Sequence, residues 1–350
     1  MNTECQLCGS AEKNIVSKFD RHGKALVTVH CVGCGIVTND PIPDEETLTQ
    51  FYAKHYRKEY KGAAKPRKRQ VWRNFGRTLR HFRKFSDVYR DVRSCIDIGA
   101  GSGEFLYLAQ ASGIKARGVE PSVDYSEYCR DDLGLEVRTG RLEDFDFSAE
   151  RFDLIRLSHV LEHLPQPVET LKRLRDMLAE DGVLYVEVPD IADDAARKLK
   201  GKLFHFGHIF NFNPFTLRLA AGLAGLVEVP ATAGRCAGTT GVFFMRSLGT
   251  VIFDAAVMKR EADAMREVMT RHYANAVPQG RGGRSLLRFF RRMFERSSEV
   301  VTGAMFRDNA AIARHFAGKL AEGNARECAT KLLAEQAASG RSGAPVAPAA

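Results

Sequence analysis

Between residues 94 and 246, short apolar runs alternate with stretches whose apolar positions recur at helical spacing. The runs predict strands at Cys95–Ile98, Ala116–Glu120, Leu135–Arg138, Phe152–Leu157, Val183–Val188, Leu226–Val229 and Val242–Met245. Each is short, rich in aliphatic or aromatic residues and bounded by turn formers. Seven strands with helical spacers between the first five describe an α/β chain with a doubly wound sheet. Residues 44–93 read as helices rich in aromatic and basic side chains. Past residue 248 the pattern turns helical at Phe253–Tyr273, Leu286–Phe294 and Thr302–Glu335, and the Gly-, Pro- and Ala-rich tail cannot build a core. At the other end, short segments between Cys-Gly pairs stop at Pro41-Ile42-Pro43-Asp44, a rigid turn that leads into a helix at Glu45. The predicted division is therefore 1–43, 44–93, 94–248, 249–338 and 339–350.

At 350 residues and 44% hydrophobic content the chain can bury one large and one small unit. No stretch approaches the roughly 20 apolar residues of a membrane span, and MNTECQLCGS is not a basic-then-apolar leader, so a cytoplasmic location is expected. The formal charge of +9 favours an anionic partner. Its distribution is uneven: Arg57, Lys58, Lys61, Lys65, Arg67, Lys68, Arg69, Arg73, Arg77, Arg80 and Arg83 crowd one segment with Glu59 the lone acid. Arg281, Arg284, Arg288, Arg291 and Arg292 interleave with Leu286, Leu287, Phe289, Phe290 and Phe294. Such clusters meet phosphate, anionic lipid head groups or nucleic acid, or else form solvated helix faces. No aromatic-and-basic signature of an RNA-binding fold accompanies them, so nucleic acid is the least supported partner.

Cysteine spacing is more specific. Cys5-x-x-Cys8 and Cys31-x-x-Cys34, each followed by glycine, offer four thiolates. That set suits Zn²⁺ in a closed tetrahedron, which leaves no open position and makes the ion structural. Cys95, Cys129, Cys236 and Cys328 are scattered and read as packing residues.

The run Ser94-Cys95-Ile96-Asp97-Ile98-Gly99-Ala100-Gly101-Ser102-Gly103-Glu104-Phe105 is a strand, a glycine turn and a helix start. Glycines there let backbone approach a ligand, and Glu120, closing the next strand, can accept both hydroxyls of a ribose. A dinucleotide site explains these two features equally well. With Gly118-Val119-Glu120-Pro121-Ser122, Phe152-Asp153-Leu154-Ile155, Ser158-His159-Val160-Leu161-Glu162-His163-Leu164 and Asp181 to Pro189 added, the chain resembles the class I methyltransferases that use S-adenosylmethionine (SAM), over roughly residues 94–246. The resemblance implies a Rossmann-like seven-stranded sheet behind a small zinc ribbon, followed by a helical extension. It implies that Asp97, Gly99, Ala100, Gly101 and Gly103 hold the methionine part of SAM, Glu120 and Pro121 its ribose side, Leu142 and Glu143 its adenine, and that Ser158 borders the cofactor.

The paired knuckles, Pro41-x-Pro43-Asp44 and Phe51-Tyr52-Ala53-Lys54-His55-Tyr56 resemble the zinc-binding module of sugar methyltransferases from deoxysugar and surface-polysaccharide pathways. That likeness implies a sugar or glycan acceptor, nucleotide- or lipid-linked. Tyr52 and Tyr56 share a helix face and either cover the cofactor or pack against the catalytic domain.

After the fifth strand, Gly201 to Phe212 carries His205 and His208 in an aromatic loop, where this fold builds its acceptor wall. A histidine suits removal of an acceptor proton near neutral pH. The loop is similar to the Tyr-His-Glu-His segment of sugar C-methyltransferases, with the last histidine on His208, but Gly207 replaces the glutamate and O-methylation is preferred. His159, Glu162 and His163 resemble in part a Glu-x-x-Glu-His stretch that ligates a divalent ion in some small-RNA and quinone O-methyltransferases, with bracing of the site as the plainer alternative. Competing assignments are a quinone, polyketide or other small-molecule methyltransferase, and an RNA-binding or RNA-modifying protein.

Overall fold

The computed structural model describes residues 4–44, 46–48, 65–230, 239–274 and 299–323, and 234–236 by their backbone. Tyr52 and Tyr56, the basic and aromatic cluster at 281–294, Cys328, the side chain of Cys236 and the tail at 339–350 lie outside the described residues.

Two sheets organise the chain. The N-terminal one contains β1 (Lys13–Phe19), β2 (Ala25–Cys31) and β3 (Val37–Asn39), all antiparallel. The larger contains β4 (Ser94–Ile98), β5 (Lys115–Glu120), β6 (Glu136–Thr139), β7 (Phe152–Ser158) and β8 (Leu178–Pro189), then β10 (Leu226–Glu228), β11 (Gly234–Cys236) and β12 (Thr239–Arg246). A two-residue strand between them in sequence, β9 (Phe210–Asn211), joins the N-terminal sheet. The larger sheet runs β10-β12-β8-β7-β4-β5-β6, with β11 paired to β12. Its members from β6 to β8 are parallel, while β12 is antiparallel to β8 and β10 to β12. All seven predicted strands are present in this Rossmann-like sheet, and β8 and β12 begin several residues earlier than their apolar centres suggested.

The helices are α1 (Lys68–Lys84), α2 (Ser86–Tyr89), α3 (Glu104–Ala111), α4 (Val123–Glu127), α5 (Pro167–Asp176), α6 (Ile191–Arg197), α7 (Pro214–Leu223) and α8 (Ala255–Ala274), with further helix at 299–304 and 309–323. In α1, Val71, Phe75, Leu79 and Phe82 recur on one face and are buried, while its arginines take the other. Side chains cap the starts of the two helices that flank the histidine loop. Asp190 Oδ1 accepts from Ala192 N at 3.0 Å to open α6, and Asn213 Oδ1 accepts from Thr216 N at 2.8 Å to open α7.

Packing does not follow the boundaries expected from sequence. Leu7, Cys31, Cys34 and Ile36 of the N-terminal module share a core with Leu161, Phe210 and Phe212. Val37 packs with Ile191, Leu203, Phe204, Met265 and Met269 in a second cluster. A Cβ on Gly35 would sit 2.9 Å from Cα of Ala262, so only glycine lets the module lie this close to α8. The module therefore packs directly against the rest of the chain. The C-terminal extension returns as well: Phe316, from the helix at 309–323, stacks on Phe75 and meets Trp72 edge-on. Among the described residues no helix is long and apolar enough to cross a membrane.

Candidate active site

The glycine turn joins β4 to α3 at the C-terminal edge of the sheet, where doubly wound folds bind their ligands. Gly99, Gly101 and Gly103 all have positive φ, at 74°, 58° and 77°. Their surroundings differ. A Cβ on Gly99 would meet Val160 Cγ2 at 2.4 Å, and one on Gly103 would meet Leu135 Cδ1 at 2.6 Å. A Cβ on Gly101 would meet nothing within 4 Å. Gly99 and Gly103 are thus glycine because neighbours crowd them, whereas Gly101 exposes its backbone to open space that a ligand can fill.

Glu120 ends β5 beside this cradle and is buried. Its Oε2 accepts from Gly101 N at 2.7 Å and its Oε1 from Ser122 N at 2.9 Å. Each oxygen keeps a second lone pair, so the fixed carboxylate can still take two hydroxyl protons. The open cradle and this carboxylate fit SAM. Ala100 is buried, Pro121 exposed and Leu142 buried, with Glu143 exposed beside it. Behind the turn, Cys129 Sγ lies 3.4 Å from the Gly101 carbonyl, and Ser102 Oγ donates to Glu104 at 2.7 Å. Asn74 Nδ2 donates to the same carboxylate at 3.2 Å, which ties α1 to α3.

Asp97, at the end of β4 just before the turn, is fully buried, and both its oxygens accept from Arg156 Nη1. Burial pushes its carboxyl up to about 6 despite that partner. Ser158, half-buried at the end of β7, donates to Glu187 Oε2 at 2.9 Å.

Past β7 the chain makes a constrained turn. His159 has φ of 57°, the left-handed region that a histidine rarely occupies. The turn brings Glu162 beneath three imidazoles. Its Oε1 lies 3.5 Å from His159 Nδ1 and 3.7 Å from His163 Nε2, and among the described residues neither carboxylate oxygen accepts a hydrogen bond although the residue is 1% exposed. His163 Nδ1 is 2.6 Å from the Gly207 carbonyl and therefore donates to it. Burial opposes a charge on His159, but the Glu162 carboxylate outweighs it and raises that histidine.

His205 and His208 face this cluster from the loop before β9. The His208 ring lies 4.8 Å from that of His163, edge-on, and 3.9 Å from that of His205. Burial, then the neighbouring histidines, hold His208 well below the usual imidazole range. Burial, then Arg21, lowers His205 to about 3. Both rings are therefore neutral near pH 7. Glu162, His163 and His208 each offer one ligand atom within 4.8 Å of the others. Val160, which touches Gly99, stands between the glycine turn and Glu162 in sequence, so cofactor cradle and histidine cluster adjoin.

The four cysteines of the N-terminal module converge likewise. Cys5 Sγ lies 3.6 Å from Cys34 Sγ and Cys8 Sγ lies 3.5 Å from Cys31 Sγ. Zinc–sulfur bonds of about 2.3 Å in a tetrahedron require sulfur separations of about 3.8 Å, so this set fits a structural zinc ion.

Arg156, Glu187 and Asn74 were not singled out by sequence. Arg156 carried a signal, as a basic residue inside the largely apolar strand Phe152–Ser158.

Known proteins supply a consistent comparison. The ubiquinone biosynthesis O-methyltransferase of Actinobacillus pleuropneumoniae is 27% identical over 103 residues, which is 27% of this chain and 44% of that protein. The C-methyltransferase NovU of Streptomyces niveus is 24% identical over 230 residues, 58% of this chain and 51% of that protein. The chain thus spans about half the length of these relatives, at 44% and 51%. Among solved structures, the PH0226 protein of Pyrococcus horikoshii OT3 is 16% identical with a TM-score of 0.44, covering 57% of this chain and 99% of that one. The family model described as a methyltransferase domain matches residues 68–230, the stretch that holds the glycine turn, Glu120 and the histidine cluster, and so this chain contains a methyltransferase domain there.

Proposed function

We propose that this chain is a SAM-dependent methyltransferase that methylates an oxygen of a sugar or surface-glycan acceptor. The observation that carries the reading is the adjacency of the Gly101 cradle to the neutral imidazoles of His205 and His208 at one sheet edge. Gly99 to Gly103 and Glu120 would hold SAM, which supplies an electrophilic methyl group when bound. His208 faces the acceptor and takes the hydroxyl proton on its free ring nitrogen, and the aromatic loop around it excludes water. The sugar class rests on the likeness of the cysteine module and its Pro41-x-Pro43-Asp44 exit to sugar methyltransferases. The oxygen preference rests on Gly207, which stands where the C-methylating loops have a glutamate. Zinc in the cysteine set would be structural, and its thiolates suit a reducing compartment such as the cytoplasm.

The test is mass spectrometry of polysaccharide and small-molecule extracts from cells with and without the gene. A missing methyl increment on a glycan hydroxyl is expected, and an increment lost only from a quinone or an RNA would replace the sugar reading.

A second reading is favoured by the buried carboxylate of Glu162, which accepts no hydrogen bond among the described residues. Glu162, His163 and His208 would then hold a divalent ion, with His163 oriented through Gly207, and such an ion would polarise the acceptor oxygen. Loss of single-turnover methyl transfer on chelation, restored by a divalent metal, would select this reading over His208 as base.

A further inference from the structure

The loop that bears His205 and His208 is held from the N-terminal module. Strand β3 pairs with β9 through Val37 with Asn211 and Thr38 with Phe210, so the sheet of the module ends in a strand of the catalytic chain. Arg21 N donates to the Phe204 carbonyl at 2.7 Å, and Lys202 Nζ donates back to the Arg21 carbonyl at 2.7 Å. The contacts centre on Asn39. Its backbone N donates to the Ile209 carbonyl at 3.0 Å and its Nδ2 donates to the Phe206 carbonyl at 3.1 Å. These carbonyls lie on either side of the Gly207-His208 pair. The Gly207 carbonyl between them receives His163 Nδ1.

Asn39 is 1% exposed and its Oδ1 accepts no hydrogen bond among the described residues. A buried carboxamide that uses its donor and leaves its acceptor unmatched is a poor choice for stability alone, because an isosteric leucine would avoid the desolvation cost. Its donor fixes one peptide, and that peptide sets the direction of the histidine turn. Asn39 also lies at the end of the short strand that begins just past Cys34, which places it within one rigid element of the cysteine set.

We propose that Asn39 is a positioning residue through which the cysteine module sets the geometry of His205 and His208, making the module an integral part of the acceptor wall. The inference rests on the reading of that loop as the acceptor wall. Asn39→Leu keeps the branched heavy-atom outline and removes the donor, whereas Asn39→Ser keeps a shorter donor.

The experiment uses the full chain loaded with zinc and compares amide hydrogen exchange across residues 204–211, the ring NMR signals of His205 and His208, thermal melting, and calorimetric affinity for S-adenosylhomocysteine. With Asn39→Leu, exchange in that segment should rise roughly tenfold or more and the two ring signals should shift, while melting and nucleoside affinity stay near wild type. Asn39→Ser should restore part of both effects. If Asn39→Leu does not fold, Asn39→Ser carries the test by the same criteria, with smaller changes expected. Wild-type exchange and unmoved ring signals in a folded variant would overturn the proposal. Failure of the wild-type chain to bind S-adenosylhomocysteine would overturn the cofactor reading instead, and the exchange and ring signals would still decide the role of Asn39.

Discussion

Arg156 Nη1 donates to both carboxylate oxygens of Asp97, at 2.8 and 3.0 Å, and the two residues are register partners in the parallel pair β4 and β7. The guanidinium also lies 4.7 Å over the Phe105 ring. The pair joins the strand that leads into the glycine turn to the strand that leads into the histidine cluster, so both arms of the site share one buried contact. Arg156→Met removes the partner of a fully buried carboxylate and should destabilise the fold by about 3–5 kcal/mol in urea unfolding. Adding Asp97→Asn should recover most of that loss, because no buried charge then stands alone. A double variant as unstable as the single one would mean that packing, not charge, explains the effect.

Gly101 and Gly103 should respond differently to an added methyl group. Gly101→Ala strains a left-handed residue by about 1–2 kcal/mol but meets no neighbour, so its main effect should be on the ligand, with S-adenosylhomocysteine affinity falling by roughly tenfold or more. Gly103→Ala adds overpacking against Leu135 worth about 1–3 kcal/mol and should chiefly lower the melting temperature. Glu120→Ala should weaken nucleoside binding by about 1.5–3 kcal/mol, as loss of a charged hydrogen-bond acceptor does. Calorimetry and melting measured on the same preparations separate these outcomes, and Gly101→Ala with unchanged affinity would move the ligand elsewhere.

Purified protein should carry a single tightly held zinc ion by elemental analysis, lost in Cys31→Ser. Because Cys31 and Cys34 share a core with Phe210 and Phe212, loss of the ion should loosen residues 204–211 as well as the module. Zinc-free protein prepared without chelator, with that segment still protected from exchange, would argue that the cysteines only pack.

Burial, then Arg156, holds His81 down to about 3, well below its unfolded value of 6.5. The folded state therefore binds fewer protons than the unfolded state between those values. Stability from this group is present above pH 6.5 and is lost as pH falls toward 3, with a slope of up to about 1.4 kcal/mol per pH unit. His81→Gln, which can still bond the Tyr89 hydroxyl, should flatten that slope. Parallel pH profiles for the two proteins would show that His81 does not titrate in this way.

The strand pattern of the larger sheet, the glycine turn, Glu120 and the four paired cysteines could be read from the sequence, since each is a local pattern. Alternation of apolar runs and helices dictates a parallel sheet, glycines at alternate positions dictate a turn open to a ligand, and two Cys-x-x-Cys pairs dictate a metal knuckle. His205 and His208 were legible for the same reason, as two histidines in an aromatic loop just past an identified strand. Tertiary structure alone decided the rest, because it depends on which distant segments meet. The pairing of Asp97 with Arg156, 59 residues away, needs two strands to lie side by side. The contact of Asn39 with the Phe206 carbonyl spans 167 residues. The boundary after residue 43 followed from proline chemistry, which is local, while the shared core and the β3–β9 pairing that erase it come from long-range burial.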